Sequence, residues 1–334
     1  MSGPFISVVV IANTRKNYIL EALESVNNQS LNRNEYEVIC VKNFNNEEID
    51  NKINCIADVV INTENQDYGP KAAAAIKIAK GEVLCFLDDD DLFGSKKLEY
   101  VFEHFKQNKR LYYYHNGRTT DYLKFNNYLP NFKENTKCNV VDMQYDPYKK
   151  LIKFFKEYPD FNSSSISIRK VVLEDQLDSL NKMIMHPDTF FLFSALEKRG
   201  ILIDDSILLT YYRVHQSTTN DFNSSPKEFF KNKFEYYSKT ELDWKVIQTF
   251  LTIHINIYLC KCEELHNILL KELINPHINK HYLFSINFNF IRCLNSRKFR
   301  NLFVLLIVSF ISSFFPQLGK KIYYTLNSKL LKNN

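Results

Sequence analysis

The sequence has no Cys-x-x-Cys pair. Its seven cysteines, at 40, 55, 85, 138, 260, 262 and 293, are odd in number and scattered, and several fall inside apolar runs. Disulfide frameworks and zinc sites want paired spacings, so reduced, buried thiols of a cytoplasmic protein are expected instead. The N-terminus lacks a basic region ahead of its first apolar run at Phe5, which argues against a signal peptide. Ile11 to Lys16 contain no glycine, so no glycine-rich phosphate loop follows that run. From Lys280 onward there is no Asp or Glu at all. That tail carries nine cations against a whole-chain net of +5, which leaves the rest at −4. There are no internal repeats.

What is present centres on Glu82-Val-Leu-Cys-Phe-Leu-Asp-Asp-Asp-Asp-Leu92. Val83 to Leu87 are continuously apolar, as in a central strand covered on both faces. Four carboxylates, Asp88 to Asp91, follow at the strand end, where open α/β sheets bind ligands. Adjacent carboxylates repel, and a divalent cation offsets that; Mg²⁺ or Mn²⁺ suits oxygen ligands. Extended geometry would put Asp88 and Asp90 on one side and Asp89 opposite. The bland alternative is an acidic cap for the helix after Gly94.

Around this stretch the chain alternates. Strands are expected at Ile6–Ile11, Glu37–Val41, Asp58–Ile61 and Arg110–Tyr114. Helices follow Asn17, which would cap the first, and run over Lys71–Lys80 and from Ser95. The pattern is α/β, a mostly parallel sheet with helices on both faces. Residues 116–160 read as loops and short helices. Ser163–Ile168 reads as a short strand. Asp188–Arg199 reads as a helix with Asp188 at the N-cap and Gly200 as its C′ stop. Ile207–Tyr212 reads as a strand, Asn220–Pro226 as a polar linker, and Val246–Leu259 as one of several later helices.

Leu302–Phe315 is nearly all apolar but shorter than the roughly 20 residues of a membrane span. Cations flank it on both sides, so a helix lying in an anionic interface accounts for it. Peripheral contact through 297–324, on the cytoplasmic face of a membrane, is expected. A core helix of a small C-terminal domain is the alternative. No nucleic-acid partner is expected, because the body offers no basic patch to continue the tail.

Over about residues 5–220 the chain resembles the GT-A-fold glycosyltransferases of family 2. The resemblance rests on Ser7-Val-Val-Val-Ile11 with Tyr18–Gln29, Ala79-Lys-Gly81 before Phe86-Leu-Asp-Asp-Asp-Asp91, Arg169-Lys170, His186-Pro-Asp188, and Tyr212-Arg-Val-His-Gln-Ser217. It implies a GT-A domain at 1–220, with a nucleotide-sugar half at 1–115 and an acceptor half at 116–220. A helical, basic region at 227–334 follows. It implies a metal-dependent inverting transfer from a nucleoside-diphosphate sugar, of the UDP or GDP type, to a glycan or lipid-linked acceptor. Asp88 and Asp90 match the metal-binding Asp-x-Asp acids, with His215 as a further metal ligand, and Asp188 matches the general base. Ala12, Asn13, Arg15, Asn43, Lys71, Asp88 and Asp89 would hold the nucleotide sugar.

The chain departs from the family pattern at several places. Ile11-Ala-Asn-Thr-Arg15 keeps only the arginine of the usual opening loop. Asn43 stands where an aspartate commonly meets a uracil, bringing a donor where only acceptors stood. Ala72-Ala73 replaces an Arg-Asn pair; Lys71 nearby is either a phosphate contact or a surface lysine. Pro187 stands where a Glu is common. Two other readings follow: a degenerate, non-catalytic scaffold, or a sugar nucleotidyltransferase, which the missing glycine loop disfavours.

Overall fold

The computed structural model describes residues 3–13, 16–128, 138–145, 151, 162–214, 225–274, 315 and 317–323. The first part alternates strictly: β1 (Ile6–Ala12), α1 (Ile19–Asn27), β2 (Tyr36–Lys42), α2 (Glu47–Ile56), β3 (Val59–Asn62), α3 (Tyr68–Ile78) and β4 (Val83–Asp88). β5 (Leu92–Phe93), α4 (Lys97–Gln107), β6 (Leu111–Thr119), α5 (Tyr122–Asn126) and β7 (Cys138–Asp142) come next. After them come β8 (Ile166–Arg169), the short α6 (Val171–Glu174) and α7 (Leu177–Leu180), α8 (Pro187–Glu197) and β9 (Ile201–Tyr211).

All nine strands join one sheet in the order β3-β2-β1-β4-β8-β6-β9-β5, with β7 also paired to β9. β3, β2, β1 and β4 are mutually parallel, as the alternating pattern predicts. The chain moves outward from β1 to β3, then returns to place β4 on the other side of β1. The carboxyl ends of β1 and β4 therefore flank a topological switch point, where such sheets hold ligands. Beyond β4 the sheet changes character. β8 runs antiparallel to β4 and β6, β9 runs parallel to β6, and β5 and β7 run antiparallel to β9.

Burial on both faces explains why β1 and β4 are nearly continuously apolar. Val8, Val10, Cys85 and Leu87 share one core with Leu23 of α1, Ile53 of α2 and Leu98 of α4. Phe86 stacks instead on Phe191 of α8, centroids 4.2 Å apart. Each such side chain contributes about 1.5–3 kcal/mol by leaving water. α8 is buried on nearly every side from Pro187 to Leu196, which is why no amphipathic stripe marks it.

Several local expectations need correction. Asn17 does not cap α1; Tyr18 occupies that position, without a side-chain cap. α2 was not foreseen, because Ile53 is its one buried residue. Its signal was Asn46, whose Oδ1 accepts the Ile49 N–H at 3.0 Å, ahead of Glu47, Glu48 and Asp50. Gly200 is not the C′ stop of α8, since Arg199 takes the left-handed conformation, φ 54. Gly200 is needed for another reason: a Cβ there would stand 2.3 Å from the Tyr112 ring.

The described residues form two compact units. One holds the sheet and its helices through Val214, together with Thr249–Thr252. The other holds α9 (Pro226–Gln248), α10 (His254–Ile274) and the segment around Tyr323. Phe229, Tyr237, Cys262, Leu269 and Tyr323 form its core. The helix expected over Val246–Leu259 is broken between Gln248 and His254, where Thr252 N–H and Oγ1–H donate to Glu197 within the first unit. The six described cysteines are free thiols, and Cys40, Cys85, Cys260 and Cys262 are buried. Among the described residues no helix is long and apolar enough to cross a membrane. Leu302 to Phe314, most of the expected interfacial helix, lies outside them.

Candidate active site

The acids do not continue β4 in extended form. Asp91 N–H donates to Asp88 O at 3.2 Å, so Asp89 and Asp90 occupy the corner of a tight turn. Alternation of Asp88 and Asp90 against Asp89 is therefore lost. Asp89 Oδ2 accepts the Asn13 N–H at 2.8 Å, fastening the turn to the end of β1.

Polar groups from the segment before β8 take up the charge. Ser163 Oγ–H donates to Asp88 Oδ2 at 2.6 Å, and Ser164 Oγ–H to Asp91 Oδ2 at 2.6 Å. Asn162 Nδ2–H donates to the same Asp91 oxygen at 3.0 Å, and Arg213 N–H to Asp91 Oδ1 at 3.0 Å. Ser164 Oγ also accepts the Asp88 N–H. Arg213 Nε–H donates to Asp90 O at 2.9 Å. Burial, then Asp91 and Asp90, pushes the Asp88 carboxyl well above the usual carboxylate range. Burial, then Asp90, pushes Asp91 up to about 6 against its donors. Behind the turn, Lys97 is fully buried and donates to Ser164 O and Thr210 Oγ1. Burial pushes its ammonium down to about 7.

The residues expected to hold a nucleotide sugar gather here, apart from Arg15, which lies outside the described residues. Ala12 and Asn13 end β1. Lys71, on α3, is not a surface lysine: it is fully buried, and its Nζ donates to Asn13 Oδ1 and Ala12 O. Burial lowers it to about 8, against the pull of Asp89. Asn43 Nδ2–H donates to Gln66 Oε1 at 3.0 Å and reaches Asn13 Oδ1 at 3.4 Å.

Facing this group is the start of α8. Pro187 holds its first position, where a fixed φ suits a helix start. His186, not Asp188, is the N-cap, so Asp188 sits one position inside the helix. Its Oδ1 accepts the Thr189 N–H at 2.8 Å, which leaves Oδ2 for the space in front. That space is a cleft of about 240 Å³, lined by Asn13, Asp88 and Asp89 and by Pro187 and Asp188. Ile11, Tyr68, Asn162, Ser163, Met185 and Tyr212 complete it. Asp90 is buried in the turn and is not in the wall. His215 lies outside the described residues.

Sequence reasoning missed Tyr68 and the Asn162–Ser164 segment. Four polar residues in a row, Asn162 to Ser165, were a signal that a buried strand would not carry.

The glycosyl transferase family 2 model matches residues 7–180, more than half of the chain. The chain belongs to glycosyl transferase family 2. It is 34% identical over 111 residues to a poly(ribitol-phosphate) beta-glucosyltransferase of Bacillus spizizenii, a match taking in 31% of this chain and 18% of that protein. It is 30% identical over 113 residues to an uncharacterized glycosyltransferase of Haemophilus influenzae, taking in 33% and 38%. The matches therefore span well under half the length of these curated relatives. Among solved structures, S. aureus TarS 1-349 in complex with UDP superposes with a TM-score of 0.51 at 16% identity, covering 97% of this chain and 91% of that one. The mannosyltransferase PcManGT from Pyrobaculum calidifontis, in complex with GDP-Man and Mn²⁺, gives 0.51 at 11% identity, covering 93% and 87%. These two likenesses establish the GT-A type of fold.

A divalent metal fits the residues at the turn. Asp88 Oδ1 and the Tyr68 hydroxyl are buried in the same cleft without a hydrogen bond of good geometry, and Tyr68 lies within electrostatic reach of Asp88 and Ser163. Among the described residues no three His, Cys, Asp or Glu side chains gather into a metal cage. Mg²⁺ or Mn²⁺ can be held by one or two carboxylates, with substrate phosphates and water completing the shell.

Proposed function

We propose that this glycosyltransferase is metal-dependent and inverting, and that it moves a sugar from a nucleoside-diphosphate sugar to a hydroxyl of a glycan or lipid-linked acceptor. One observation carries the reading: the crowded carboxylates Asp88 and Asp89 and the carboxylate of Asp188, from a different element, line a single cleft. Asp188 takes the proton of the acceptor hydroxyl. A bond forms from that oxygen to the anomeric carbon as the bond from that carbon to the diphosphate breaks. Mn²⁺ or Mg²⁺ would be held by Asp88, which lines the cleft as Asp90 does not, with His215 as the expected further ligand, and would supply positive charge to stabilise the departing diphosphate. Asn13, Asn43 and Lys71, with Ala12 and Arg15, hold a donor of the UDP or GDP type. The amide of Asn43 offers the base a donor as well as an acceptor. Residues 1–220 are the catalytic domain and 227–334 the helical basic region. Contact through 297–324 with the cytoplasmic face of a membrane would bring a lipid-linked acceptor within reach.

The test is binding of UDP and GDP, and turnover of the matching sugar donors, with Mn²⁺ and with a chelator. Metal-dependent turnover is expected. Turnover unaffected by the chelator would overturn the metal role. Tight nucleotide binding without any turnover would favour the non-catalytic scaffold.

A further inference from the structure

A second cavity, of about 370 Å³, lies between α1, the segment Leu92–Lys96, α5 and β9. Nothing in the transfer chemistry uses it. Tyr122, Phe125 and Tyr128 give it aromatic faces, and Glu24, Asn28 and Asn126 give it polar edges. Tyr122 remains 50% exposed. Its ring meets Tyr211 edge-on at 5.2 Å, and Phe125 lies 5.7 Å from the same Tyr211 ring. The aromatic surface is thus held in place without being covered. Glu21 also lines the cavity, but Arg213 answers it at 2.6 Å. Glu24 and Lys96 then leave one charge of each sign in the wall.

This chemistry suits a sugar ring. An aromatic face accepts the apolar C–H face of a pyranose, while carboxylate and amide groups pair with its hydroxyls. A phosphate would instead want an arginine fork or several cations. The cavity is also tied to the cleft. Tyr211 packs on its aromatics, while the next residue, Tyr212, lines the cleft. Arg213 joins Glu21 of the cavity to the Asp90 carbonyl.

We propose that this cavity is a carbohydrate subsite, which holds an uncharged sugar unit of the acceptor or product glycan away from the bond being made. The proposal rests on the transfer reading above, and its test separates the two. Wild-type protein, Tyr122→Ala and Glu24→Gln are applied to an immobilised array of neutral oligosaccharides and phosphate-bearing glycans. UDP and GDP binding is measured on the same samples. Both side chains are exposed, so folding should survive, and circular dichroism checks it. The wild type should retain neutral oligosaccharides, and each variant should bind them about tenfold more weakly, the size of one lost stacking or charge-assisted contact. No retained neutral oligosaccharide, retention of phosphate-bearing glycans only, or variants equal to wild type would overturn the subsite. Sugar binding lost in the variants alongside absent nucleotide binding would support the subsite and sink the transfer reading instead.

Discussion

The two walls of the cleft carry carboxylates in opposite settings. Asp88 to Asp91 crowd a tight turn, with hydroxyl, amide and backbone donors spent on holding them there. Asp188 stands alone at a helix start with one backbone N–H. Burial and like charge both disfavour the ionised form in the first setting, and a cation would offset that cost. In the proposed transfer these two settings would divide one functional group between two jobs, cation holder and proton acceptor.

Asp188→Asn probes the helix wall and should have the largest effect. Asparagine can still accept the Thr189 N–H, so the melting temperature and nucleotide binding should hold. Sugar transfer should fall by about 10²–10⁴-fold. A variant that transfers at the wild-type rate would reduce Asp188 to a helix-end residue.

Ser164→Ala probes the other wall. It takes a donor from Asp91 and an acceptor from the Asp88 N–H. The expected loss is about 1–3 kcal/mol in urea unfolding. An unchanged urea midpoint would mean that the turn stands without its serine.

A third effect is a slope with pH, gradual in any one unit. Lys97 titrates near 7 in the fold and near 10.4 when unfolded, so its neutral form is the one the fold favours. Its contribution is complete above the unfolded value and is lost as pH falls to about 7. Between those limits stability should rise with pH by up to about 1.4 kcal/mol per unit. Asp91 has the opposite sense in a lower window. Its contribution is complete below about 4 and lost as pH rises through about 6. Lys97→Met should flatten the slope from pH 7 to 9 in urea unfolding and spare the one from 4 to 6. A slope that survives the substitution would assign it to another group.

The parallel half of the sheet was legible in the sequence because its strands are apolar on both faces and its helices carry stripes. β1, β2, β3 and β4 fall within a residue or two of expectation. Ala12, Asn13, Asn43 and Asp88 lie at or just beyond the ends of those strands, where the alternating pattern put them. The antiparallel half was harder to read. β6 runs on through Asn116, Gly117 and Arg118 to Thr119, polar residues whose strand pairing comes from β9 rather than from local preference. The turn at Asp89 and Asp90 was hidden as well. Its geometry depends on Asn13, Asn162, Ser163, Ser164 and Arg213, and no local pattern announces partners so far away.

Those separations have a consequence for the newly made chain. Asp88 waits 75 residues for Ser163, and Asp91 waits 122 for Arg213. At ribosomal speeds of about 5–20 residues per second, the second wait lasts on the order of ten seconds. Strands β1 to β4 emerge early, before Phe191 arrives to cover Phe86, and the four acids at their edge still lack most of their donors. Water must carry that charge until the later segments arrive. The nascent chain therefore owns the strands that carry the turn well before it owns the donors that fix the turn's shape.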